Sequence, residues 1–112
     1  MTLTLDLCKR LCEKEPEKFG WGGGHCLYIG DEPVLQFDDD GTLVDCDSDS
    51  CDRLCAELGF RLLLEYSVLA LSLYAKVYDL NWIFQYEIQT NESEKLPASI
   101  AATAEIIRRV VE

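Results

Sequence analysis

Apolar residues return every fourth position at the start of the chain. Leu3, Leu7 and Leu11, widened by Cys8 and Cys12, predict a short amphipathic helix from Leu3 to about Lys14. Thr2 or Thr4 is placed to cap it. Pro16, then Gly20, Gly22, Gly23 and Gly24, end the pattern and predict a flexible loop holding Phe19 and Trp21.

Three short extended segments come next. Cys26–Ile29, Val34–Phe37 and Thr42–Cys46 are separated by Gly30-Asp31-Glu32-Pro33 and by Asp38-Asp39-Asp40-Gly41. Asp-Gly supplies the positive φ that a tight hairpin turn needs, so a three-stranded meander is expected. Asp47-Ser48-Asp49-Ser50 is N-cap chemistry, and a helix is expected from about Cys51, with Asp52 in its first turn. Gly59 closes that helix as a left-handed residue, or is tolerated within it.

Leu62, Tyr66, Leu69 and Leu73 recur at helical spacing, as do Leu63, Ala70 and Val77. A central helix, apolar nearly all round, is the expectation to about Tyr78, and a dimer seam if the sheet leaves it uncovered. Trp82, Phe84, Tyr86 and Ile88 alternate with Ile83, Gln85, Glu87 and Gln89, the clearest strand signal in the chain. Pro97 suits a first helical turn, and Ile100, Ala104, Ile107 and Val111 share one face of a last helix. The pattern as a whole predicts an α+β fold. It comprises an antiparallel sheet of about four strands, the meander plus one later strand, with helices packed on one face. The 112 residues are expected to form one domain, 1–112.

Charge changes this picture. The formal net charge is −11, and ten acids against one base, Arg53, place −9 of it between Asp31 and Glu57. Such a chain does not neutralise phosphates or recruit anionic lipids, so direct nucleic-acid and membrane binding are not expected. The first ten residues lack the unbroken apolar stretch of a signal peptide, and the protein is read as cytoplasmic. There its six cysteines are expected as thiols.

Several motifs offer chemistry. Cys8/Cys12 and Cys51/Cys55 each lie one helical turn apart, and the four form the alternative reading: a zinc-binding structural or regulatory domain. The twin spacing resembles that of small mitochondrial intermembrane-space chaperones, although a strand-bearing insert separates the pairs here. Buried apolar cysteines beside Leu7, Leu11, Leu54 and Leu58 are the simpler reading. Phe37-Asp38-Asp39-Asp40-Gly41-Thr42 resembles the first motif of haloacid-dehalogenase-type phosphatases. That resemblance implies Asp38 as nucleophile and Asp40 as acid/base around Mg²⁺. The family's further acidic pair at a strand end has no counterpart, and a hairpin turn writes the same letters for conformational reasons. Neither register of the acidic segment fits a calcium-binding EF-hand loop. No catalytic residue and no cofactor are expected.

What remains is a negative surface. Asp38, Asp39, Asp40, Asp45, Asp47, Asp49 and Asp52 are the candidate partner-binding residues, expected to contact Lys and Arg of a protein with a basic surface. Alternate acids on an extended chain stand about 6.5–7 Å apart, of the order of phosphate spacing. The composition resembles that of small acidic inhibitors carried by phages and other mobile elements, anti-CRISPR proteins among them. It implies a nucleic-acid mimic occupying a basic groove. The chain is expected to act as a monomer or homodimer, by binding and without catalysis.

Overall fold

The computed structural model describes residues 2–112. Among them run α1 (Leu5–Lys14), β1 (Phe19–Gly22), β2 (Cys26–Ile29), β3 (Glu32–Phe37), β4 (Leu43–Asp45), α2 (Ser48–Glu57), β5 (Phe60–Ser67), β6 (Ser72–Asp79), β7 (Phe84–Gln89) and α3 (Lys95–Val111). The α+β class holds. The strands form two antiparallel sheets, β1-β2-β3-β4 and β5-β6-β7, where a single sheet of about four was expected.

Local chemistry explains most boundaries. Thr4 Oγ1 accepts the Leu7 amide at 3.1 Å and opens α1, whose Leu7, Cys8 and Leu11 are buried. Asp47 does the same for α2, its Oδ1 accepting the Ser50 amide at 2.7 Å. Gly59, at φ +93°, ends that helix and turns the chain into β5.

Two expectations are corrected. The glycine-rich stretch is a strand, not a loop: Phe19–Gly22 pairs with Cys26–Ile29, and Phe19 is buried. The Tyr28 ring lies over Gly22, where a β-carbon would collide with it. Trp21 packs against Phe37, ring centroids 6.1 Å apart, and lids the core.

The second correction is larger. Leu62 to Val77 is not a helix. It is a regular hairpin in which Leu62 faces Val77, Leu64 faces Ala75 and Tyr66 faces Leu73. Residues separated by four fall on one face of a strand as well as of a helix, so that spacing did not discriminate. The turn between the strands, Val68-Leu69-Ala70-Leu71, carries no glycine, proline or asparagine to announce it. Ser67 Oγ accepts the Ala70 amide at 3.2 Å, and Leu71 takes a positive φ of 54°.

The central helix is α3. Ala98, Ala101, Ala102 and Ala104 are buried in it, small enough for close approach on several sides. Its Ala104 and Ile107 join the core formed by α1 and the first sheet. Its Ala102 and Ile106 join a second core with Ala75, Val77 and Ile88 of the second sheet. Helix α2 is shared in the same way, Leu54 in the first core and Cys55 in the second. The two sheets thus lean on a common pair of helices.

Candidate functional site

The acidic residues gather along β4, an edge strand of the first sheet. Asp38–Asp40 form the turn that enters it, Asp45 ends it opposite Gln36, and Asp47 and Asp49 begin α2. Three residues of strand span about 10 Å, so the two acidic ends lie close along one margin. Charges at an exposed edge also keep other strands from pairing there.

The seven carboxylates divide by what they hold. Asp38 Oδ1 accepts the amides of Asp40 and Thr42, both at 2.9 Å, and shapes the turn. Asp47 caps α2, and the Ser50 amide holds its carboxyl below the usual carboxylate range. Asp39 receives the His25 ring at 3.2 Å. Among the described residues, Asp40, Asp45 and Asp49 have no cation within ion-pair distance. Arg53, the one base of the segment, is turned to Glu32. One turn beyond Asp49, Asp52 is set against a groove; burial raises its carboxyl pKa, and Lys95 works the other way.

The thiols are not assembled as the zinc reading requires. Cys8 lies in the first core and Cys55 in the second. Among the described residues no group of three or more His, Cys, Asp or Glu side chains is placed to hold a metal ion, so Cys8, Cys12, Cys51 and Cys55 do not form a site. Burial pushes Cys8 and Cys55 up to about 12. A different pair does meet. Cys46 and Cys51 occupy N′ and N4 of α2, the two positions that a hydrophobic staple joins, and their sulfurs are 3.6 Å apart. The hydrogen bond between the two sulfurs holds Cys51 below the ordinary thiol range and, with burial, pushes Cys46 up.

The second sheet carries features that the sequence reading missed. One face is packed on the helices. The other exposes Leu63, Trp82 and Phe84 beside the half-buried Tyr78, with the Arg61 guanidinium 4.9 Å from the Trp82 ring centre. Two adjoining grooves flank β5. One, of about 310 Å³, lies among Asp52, Ala56, Phe60, Leu80 and Trp82. The other, of about 380 Å³, lies among Asp52, Leu62, Leu64, Leu73, Lys95 and Ser99. Beyond them the hairpin tip projects, Leu69 wholly exposed at 99%. Reading this segment as a helix hid the edge; the bracketing serines, Ser67 and Ser72, were the available turn signal.

No protein-family model, curated protein or solved structure matches the chain. Among the described residues, no helix is long and apolar enough to cross a membrane.

Proposed function

We propose that this chain is an acidic protein-interaction domain whose β4–α2 margin binds the basic surface of a partner protein. The observation that carries the reading is the set Asp40, Asp45 and Asp49, exposed along one edge with no internal counter-ion among the described residues. Carboxylates left free of internal pairs keep their full field for an incoming Lys or Arg. Asp39 and Asp52 extend the margin. Asp38 and Asp47 add charge while shaping the turn and the helix start.

The finer form of the proposal is inhibition by mimicry. An edge of clustered carboxylates suits a groove that ordinarily takes a nucleic-acid backbone, although Asp49 stands in α2 and not on the extended chain that would give it phosphate spacing. Capture from lysate at low and at high salt, with nucleic acid as competitor, tests both forms. The binding domain is expected to retain a basic protein at low salt and release it at high salt. Mimicry further requires that DNA or RNA displace the chain. Retention that ignores salt would overturn the electrostatic reading, and retention that nucleic acid leaves untouched would overturn mimicry.

A further inference from the structure

The free edges of the two sheets are not alike. Strand β4 is only three residues long and flanked by acids. Strand β1 is four residues long and contains Gly20 and Gly22. Strand β7 has a register shift against β6 and carries Gln85, Glu87 and Gln89. Strand β5 has none of these protections. It runs eight residues, Phe60–Ser67, without glycine, proline or bulge. A long, regular, apolar edge is a template for another strand.

We propose that the strand it takes is β5 of a second copy of this chain, joined antiparallel across a two-fold axis at Leu63. The sequence of the edge is self-complementary about that point. Leu63 falls opposite itself, Leu62 opposite Leu64, Arg61 opposite Glu65 and Phe60 opposite Tyr66. An axis at Leu62 or Leu64 leaves both charges opposite neutral residues. Directly opposed residues of an antiparallel pair share a face, so each Arg61 meets a Glu65 across the seam, twice per dimer. Glu65 already holds Lys76 at 3.0 Å through Oε2, which leaves its other oxygen for the guanidinium.

The same register fills the space beside the strand. Leu62 and Leu64 of one copy come over the groove lined by their counterparts in the other. Tyr66, half exposed in the single chain, comes beside Phe60 at the groove of Leu80 and Trp82. Continued two residues further, the pairing sets the exposed Val68 beside Leu58 of the second copy. The proposal leaves Asp40, Asp45 and Asp49 of each copy open, since it uses the other sheet, while Asp52, which lines both grooves, falls at the seam.

Sedimentation equilibrium on the full chain tests it. The expected mass is twice 12.7 kDa at micromolar concentration. Arg61→Glu sets like charges opposite each other twice and is expected to weaken dimerisation by roughly ten-fold or more. Arg61→Glu combined with Glu65→Arg restores the complement and is expected to restore the dimer, with circular dichroism unchanged throughout. Hydrogen exchange on the unmodified chain gives a second reading that needs no variant. The β5 amides facing away from β6 are expected to gain protection as concentration rises. A mass of 12.7 kDa at millimolar concentration would overturn the proposal. So would a dimer indifferent to Arg61→Glu, a charge swap that fails to restore it, or β5 amides that exchange freely in the dimer.

Discussion

Gly41 and Trp82 hold the same place in two turns built alike. In the first, Asp38 Oδ1 accepts the amides of Asp40 and Thr42. In the second, Asp79 Oδ1 accepts those of Asn81 and Ile83, at 2.8 and 3.0 Å. Each turn then closes through its third residue after the aspartate, Gly41 at φ +83° and Trp82 at φ +62°. Glycine takes that conformation freely, whereas a bulky side chain is held there only by its surroundings. Trp82 lies 5.6 Å from the Tyr78 ring and under Arg61, yet stays 56% exposed.

Trp82→Gly should therefore be close to neutral for stability. It relieves about 1–2 kcal/mol of backbone cost and gives up ring and guanidinium contacts of about the same size. Trp82→Ala loses the contacts and keeps the strain, so it should fall about 1 kcal/mol below Trp82→Gly in denaturant unfolding. Equal stability of the two variants would mean that the turn imposes no strain.

Local periodicity and capping made much of this fold legible. Leu7, Cys8 and Leu11 announce α1, Asp47 announces α2, and Asp40-Gly41 announces the turn into β4. What stayed hidden depends on distant partners. Leu62, Leu63 and Leu64 form an unbroken apolar run because one strand face is buried on α3 and the other belongs to an open surface. Such a run does not distinguish strand from helix. The Trp82 turn was equally hidden, since a tryptophan stands where turn chemistry calls for glycine. The acidic margin was legible as composition, but the division between capping and free carboxylates was not.

That division has a pH signature. The Ser50 amide lowers the Asp47 pKa below its ordinary 3.8, so the cap contributes stability above that value. The contribution is lost as pH falls through the lower folded value. Asp47→Ala should lower the melting temperature at pH 7 and converge with the unmodified protein once pH falls below the depressed folded value. Asp45→Ala, which removes a carboxylate with no hydrogen-bond partner among the described residues, should leave the melting temperature at pH 7 nearly unchanged. A penalty for Asp47→Ala that persists unchanged into acid would show that the carboxylate charge is not what caps α2.

The thiols are expected to separate by reactivity. Cys8 and Cys55, buried and ionising only near 12, should resist alkylation at pH 8 in the folded chain. Cys46 is partly exposed and has Cys51 within 3.6 Å. Glutathione disulfide in excess should accept two electrons and two protons from this pair, leaving two glutathione molecules and a Cys46–Cys51 disulfide. Peptide mapping reads the linkage directly. A Cys8–Cys12 or Cys51–Cys55 disulfide forming first would contradict the staple geometry at the start of α2.

Position, and not total charge, is the heart of the functional proposal, and two triple variants of equal charge separate them. Asp40→Asn, Asp45→Asn and Asp49→Asn together strip the β4–α2 margin. Glu13→Gln, Glu17→Gln and Glu92→Gln together remove the same charge from exposed sites elsewhere. Each is immobilised beside the unmodified chain, and the basic protein captured from lysate at low salt is quantified. The margin variant is expected to lose that protein while the control retains it. Equal retention by both, or equal loss from both, would contradict a binding site on the β4–α2 margin.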